Sequence, residues 1–179
     1  MMGDLPFHDL SARHPGLTKA LGDTYTEAAR VCLDRHHESP VTIVILGGAT
    51  LETMAKWLRC NDREKGAWAN ETDATAAGAY GVALAAIEVF EEMVAVRRAE
   101  TRTGADYYIA PRGSKVDDLE SCFRLEVSGV DRGEEILVRQ RLNQKVQQAR
   151  RGESNLPALA AVVGFRAKCV MLARVELVL

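Results

Sequence analysis

The sequence predicts an α/β fold, a central mixed sheet with helices flanking it. Three observations predict it. Short apolar runs bounded by proline, glycine and polar turns recur along the chain, VTIVIL at 41–46 and MVAVRR at 93–98 among them, and such runs are strands. Apolar residues at helical spacing mark 15–37 and 134–151 as helices. From Thr75 onward the elements follow the order helix, three strands, helix, strand, which lays helices on a central sheet. The strands are apolar rather than strictly alternating, as expected where helices cover both faces.

Taken in order, residues 15–37 carry Leu17, Leu21, Tyr25, Ala28 and Cys32 in one stripe. Glu38, Ser39 and Pro40 end that helix, because proline disfavours helical backbone in the residue before it. VTIVIL, held between Pro40 and the Gly47-Gly48 turn, is a largely buried strand. LETMAKWL at 51–58 reads as a short helix, and the polar stretch 60–70 as a connecting loop without period. Asn70, Glu71, Thr72 and Asp73 offer caps for ATAAGAYGVALAAIEVFEEM at 74–93. That segment is apolar almost all round, so the helix is buried on most sides. MVAVRR, ADYYIA at 105–110 and SCFRLEVSG at 121–129 are three strands, with a polar loop at 111–119. The helix at 134–151 shows Val138, Leu142 and Ala149 on one face, and its acidic first turn and basic last turn suit the helix dipole. ALAAVVGF at 158–165 and CVMLARVEL at 169–177 are the last strands. The expected organisation is a single domain over 1–179, in which an extension, 1–70, packs on a core, 71–179.

Composition narrows the function classes. A net charge of −2 offers no global basic field, so a nucleic-acid partner needs a local patch. Aromatic residues are 6%, which argues against base-stacking platforms. Cys32, Cys60, Cys122 and Cys169 are far apart with no CxxC pair, the pattern of buried free thiols in a reducing cytosol. Cys32 with His36 and His37 lacks the second half of a zinc site. The start, MMGDLPFHDLS, has neither the basic residues nor the apolar run of a signal peptide. No uninterrupted apolar segment approaches spanning length, so the expected location is cytoplasmic, without a membrane partner. Gly47-Gly48 is not followed by a phosphate-loop pattern, and no serine, cysteine or lysine nucleophile signature appears.

Chemistry is carried by two acids in strand-like runs, Asp106 and Glu126. Residues two apart on a strand share a face, so Glu126 looks the same way as Ser128, and Asp106 as Tyr108. If their strands are neighbours, the two carboxylates lie side by side. Burying both costs several kcal/mol unless a cation is present. Magnesium accepts a few carboxylates plus water, and can activate water and offset charge on a phosphate. A salt bridge from Glu126 to Arg97 or Arg98 satisfies that acid without any metal.

The order helix, three strands, helix, strand, with an acid in the first helix, an Asp on the second strand and a Glu on the third, resembles the PD-(D/E)XK nuclease superfamily. The likeness covers roughly residues 75–165. It implies a restriction-endonuclease-like αβββαβ core and a Mg2+- or Mn2+-dependent endonuclease that hydrolyses phosphodiester bonds, in DNA rather than RNA. Asp106 matches the Asp of the pattern and Glu126 the acid of its triplet, both implied metal ligands. Glu88, in AAIEVF, matches the helix glutamate that often adds a further metal contact. Ala105 stands where the pattern has Pro, a minor change. Ser128 stands where it has Lys, and serine supplies no positive charge beside the nucleophile. In some members that lysine migrates to the following helix, where Lys145 in RLNQKVQQ lies three residues from core-facing Leu142, with Gln144 and Gln148 nearby. Lys115 in the inter-strand loop is the alternative.

The resemblance thus implies Glu88, Asp106, Glu126 and Lys145 as the catalytic set. Arg139, Arg141, Arg150 and Arg151, with no acid between 136 and 151, make a helix suited to phosphate contact, or else a solvated helix face. Nothing resembles a separate sequence-reading domain, so target choice would come from a homodimer or a partner subunit, in a setting such as prokaryotic defence or repair. Ser128 favours the other reading, a catalytically inactive nuclease-like protein that serves as a binding or structural subunit.

Overall fold

The computed structural model describes residues 2–101, 103–114, 119–151 and 154–175. In chain order its elements are β1 (Gly3–Asp4), a 3-10 turn (Leu10–Ala12), α1 (Lys19–His36), β2 (Val41–Leu46), β3 (Thr50–Ala55), α2 (Asp62–Ala67), α3 (Glu71–Phe90), β4 (Met93–Arg98), β5 (Tyr107–Pro111), β6 (Phe123–Val130), α4 (Glu135–Arg150), β7 (Ala158–Gly164) and β8 (Cys169–Val175). The described strands form one mixed sheet in the order β1-β3-β2-β8-β7-β6-β5-β4.

Strand β5 runs antiparallel to both β4 and β6, and β7 lies parallel beside β6. A parallel pair needs a crossover, and α4 supplies it. This realises the expected order, with α3 and α4 on opposite faces. Under α3 the core holds Tyr107, Leu125, Val127, Leu159 and Val163. Under α4 it holds Ala158, Ala160, Val162 and Met171, met by Val138, Leu142 and Ala149. The extension continues the same sheet, because β2 pairs in parallel with β8.

Two elements correct the expectation. LETMAKWL is not a helix. It supplies most of β3, which pairs with β2 from Val41↔Ala55 to Leu46↔Thr50. A helix of eight residues is marginal by itself, whereas the hairpin satisfies its backbone through a β-branched partner strand. Within the supposed loop 60–70, α2 forms on a capping box. The Asn61 side chain accepts from the Glu64 N–H, and Glu64 accepts from the Asn61 N–H.

Helix α3 starts where expected, with the Asn70 side chain accepting from the N–H groups of Thr72 and Asp73. By length and composition it could cross a membrane, which amends the reading that no segment approaches that length. It lies instead between the sheet and α1, and residues Gly81 to Glu88 are all buried. The outer edge of β4 is covered by the chain's own start. The Gly16 N–H donates to the Ala95 carbonyl at 2.9 Å, and the Ala95 N–H donates to His14 Nδ1 at 3.0 Å.

All four cysteines are buried. Burial pushes the Cys32 thiol up to about 12 and Cys169 to about 11, so neither ionises near neutral pH. His36 approaches Asp131 at 3.0 Å and His37 the Phe165 carbonyl at 2.8 Å, so neither is assembled with Cys32 into a metal cluster.

Candidate active site

The pairing of β5 with β6 runs through Ile109↔Phe123, Tyr108↔Arg124 and Tyr107↔Leu125, while β6 itself continues to Val130. One step beyond the last pair, Asp106 stands across from Glu126. The Asp106 N–H donates to the Leu125 carbonyl at 2.7 Å. Its side chain then takes over from the departing strand, because Oδ2 accepts from the Val127 N–H at 2.8 Å. Oδ1 accepts from the Tyr80 hydroxyl of α3 at 2.6 Å. Each carboxylate oxygen is thus fixed by one donor.

Leu125 and Val127 point into the core under α3, and Glu126 between them faces α4. There Lys145 Nζ donates to Glu126 Oε1 at 2.7 Å and to Gln148 Oε1 at 3.2 Å. The pair is largely withdrawn from solvent, with 19% of the lysine side chain and 6% of the glutamate exposed. Lys145 therefore leans back from the edge of the buried face, as its spacing from Leu142 suggests. Glu126 is not paired with Arg97 or Arg98. Burial pushes its carboxyl above the usual range, the Lys145 hydrogen bond pulls it down, and the charge of Asp106 pushes it up again. The two acids thus feel each other in one cleft. That cleft has a volume of roughly 860 Å³ and is lined also by Arg98, Gln148 and Arg151.

Glu88 does not join them, which corrects its expected role as a third ligand. It lies eight residues beyond Tyr80, about 12 Å along the helix. Its buried carboxylate is held by Arg13 Nε at 2.9 Å to each oxygen and by Arg112 Nη2 at 2.7 Å. Arg112 follows β5 at the end remote from Asp106. Among the described residues, no three of His, Cys, Asp and Glu form a group that could hold a metal ion.

The expected phosphate-contact residues divide. Arg151 lines the cleft. Arg141 lines an adjoining hollow of roughly 550 Å³ with Tyr80, Ser128 and Arg132. Arg139 is bound to Glu135 at 3.0 Å, and Arg150 is exposed on the last turn of α4. Lys115 lies outside the described residues. Arg98 lines the cleft, although the sequence offered it only as a salt-bridge partner for Glu126, and Tyr80, which holds Asp106, was not picked out from the sequence. Another cavity of roughly 860 Å³ beside α1, lined by His8, Thr26, Trp57 and Leu58, contains neither member of this acid pair.

A hard divalent cation would have Asp106 and Glu126 as its carboxylate ligands here, both of them already hydrogen-bonded within the chain. Both carboxylates line one open cleft, Asp106 held from α3 by Tyr80 and Glu126 held from α4 by Lys145, and burial first and the charge of Asp106 after it raise the proton affinity of Glu126. A cation held by a few oxygens and water relieves that repulsion. Lys145 already offsets the charge of Glu126. Comparison with protein-family models, with curated proteins and with solved structures returned no match.

Proposed function

We propose that the protein is a metal-dependent phosphodiester hydrolase of the PD-(D/E)XK type, acting on nucleic acid and on DNA rather than RNA. One observation carries the reading: a lysine from α4 stands 2.7 Å from Glu126, an acid that lines one cleft with Asp106. A positive charge is therefore present where Ser128 leaves none.

Asp106 and Glu126 would hold Mg2+ or Mn2+. Bound there, the cation supplies a Lewis acid for a phosphoryl oxygen and lowers the pKa of water. Tyr80 and the Val127 N–H keep the Asp106 carboxylate in one orientation. Lys145, with three N–H donors, orients the attacking water and offsets the charge that forms on it. Arg141, Arg150 and Arg151 offer positive charge to neighbouring backbone phosphates. The same reading expects a cytoplasmic enzyme that takes its target choice from a homodimer or a partner subunit, in defence or repair. A second reading, an inactive nuclease-like binding subunit, is favoured by Ser128 and by the neutralisation of Glu126 within the chain.

Incubation with plasmid DNA and Mg2+ or Mn2+ separates the two. The wild type is expected to cleave. Asp106→Asn, Glu126→Gln and Lys145→Met are each expected to lose roughly 100-fold or more in rate, the scale of a lost proton-transfer or charge-stabilising group. No cleavage with either metal, together with a melting curve that metal leaves unmoved, supports the binding subunit instead.

A further inference from the structure

An irregularity in the edge strand decides where one charge goes. Strand β4 pairs with β5 as Met93↔Pro111, Val94↔Ala110 and Ala95↔Ile109, then resumes at Arg97↔Tyr108 and Arg98↔Tyr107. Val96 is the extra residue of a β-bulge. Strict alternation would put Arg98 on the face of Val94 and Val96, away from Tyr107. The bulge inverts the alternation and re-aims Arg98 over the Tyr107 face.

There the guanidinium carbon lies 4.7 Å from the Tyr107 ring centre and 4.9 Å from that of Tyr80. Nη2 donates to the Tyr80 hydroxyl at 3.3 Å. The side chain is nevertheless 50% exposed and lines the cleft with Asp106 and Glu126. Its distance to Asp106 Oδ1 is 3.7 Å, beyond a hydrogen bond. An arginine present only to neutralise Asp106 would sit on its oxygens as a fork. Here those oxygens belong to Tyr80 and Val127, and with Nη2 on the Tyr80 hydroxyl the guanidinium remains half exposed at the cleft. Arg97, by contrast, is bound to Glu100 at 3.0 Å.

We propose that Arg98 is a phosphate-binding residue of this cleft, its fork gripping a non-bridging oxygen of the DNA phosphodiester presented to Asp106 and Glu126. The inference rests on the nuclease reading and adds to it a residue that the resemblance does not supply. The planar guanidinium matches a phosphate through two parallel N–H donors. The two tyrosine rings hold it in place before substrate arrives, so little side-chain freedom is lost on binding. Arg151, at the end of α4, lines the same cleft, so the acid pair has cationic groups from two elements beside it.

The test measures binding of a fluorescein-labelled DNA duplex in Ca2+ across a salt series, and cleavage of the same duplex in Mg2+. Wild type, Arg98→Ala, Arg98→Lys and Asp106→Asn are compared, with melting curves for each. Arg98→Ala is expected to weaken binding roughly tenfold and to lower the salt slope by about one. Arg98→Lys keeps a cation over the rings and the salt slope, and loses about tenfold in cleavage because an ammonium has no fork. If Arg98→Ala unfolds, the Arg98→Lys cleavage rate decides. Wild-type affinity and slope in a folded Arg98→Ala, or wild-type cleavage in Arg98→Lys, overturns the assignment while Asp106→Asn inactivity upholds the nuclease. A wild-type protein that neither binds nor cleaves the duplex overturns both.

Discussion

The two carboxylates are held by different means, and that difference sets what single substitutions do. Asp106 depends on neutral donors, so Tyr80→Phe is the mildest probe of its orientation. It removes the 2.6 Å hydrogen bond to Asp106 and the 3.3 Å one from Arg98 while leaving a ring that stacks on Tyr25 at 5.0 Å. Stability is expected to fall by about 1 kcal/mol, and metal affinity and cleavage by roughly tenfold as Asp106 gains freedom. Calorimetric metal titration beside a melting curve checks it; unchanged affinity would show that Val127 suffices. Glu126 depends on a buried cation. Its carboxyl is raised by burial and by Asp106 and lowered by Lys145, so under the proposed metal-binding role a proton would compete with metal at a higher pH than for an ordinary glutamate. Metal affinity is therefore expected to be lost on acidification while still above the usual glutamate range. Lys145→Met removes the opposing influence and moves that loss to higher pH still. Metal titration at several pH values reads the displacement, and coincident curves for the two proteins would mean that Lys145 does not act on Glu126 in solution.

At the scale of elements, the contact of α1 with α3 supports the site from behind. A Cβ on Gly81 would lie 2.8 Å from the Tyr25 carbonyl oxygen, which belongs to helical backbone and cannot easily yield. Alanine gains about 1 kcal/mol in helix propensity, but overpacking costs about 1–3 kcal/mol, so Gly81→Ala is expected to destabilise. Denaturant unfolding measures it, and a stabilised variant would contradict the close approach. Tyr25 also shares a 2.7 Å hydroxyl contact with Tyr107, so movement of α1 reaches the ring beneath Arg98. Much of this architecture was legible in the sequence. VTIVIL and MVAVRR were readable to the residue because turn residues or a neighbouring helix end bound them. Lys145 was legible through its spacing from Leu142. LETMAKWL was misread because its apolar spacing imitates a helix, while its partner strand is fixed only by the folded pairing. Glu88 misled for the same reason, since an acid in an apolar helix is visible but the arginines from positions 13 and 112 are not. Arg98 was read only as a salt-bridge partner for Glu126, because a bulge is a property of two strands together and its side chain changes face with one unpaired residue.

Across the whole molecule, the extension and the core share one sheet, and beyond the packing of α1 on α3 they meet at two remote places. Strand β2 borders β8, and at the other end of the sheet the first residues of the chain close the β4 edge. Arg13 anchors that second junction. It binds Glu88 and the carbonyl oxygens of Pro6, His8 and Asp9. His14, fully buried, accepts the Ala95 N–H through Nδ1, a bond that only a neutral imidazole can make. Its Nε2 lies 3.3 Å from Glu88, outside hydrogen-bonding alignment. Burial pulls the imidazole down to about 4, the Glu88 charge opposes this, and Arg13 and Arg112 add to it. The unfolded chain titrates near 6.5, so between pH 6.5 and 4 it binds more protons than the native state. Stability is thus fully present above pH 6.5 and declines as pH falls through that window, by about 3 kcal/mol at most from this group. His14→Gln keeps an acceptor for Ala95 but cannot titrate. Urea midpoints measured from pH 7 to pH 4.5 are expected to fall more steeply for the wild type than for the variant, because the carboxylates common to both cancel in the comparison. Parallel curves would mean that His14 reaches solvent before the fold opens, and that the β4 edge is not closed by the start of the chain.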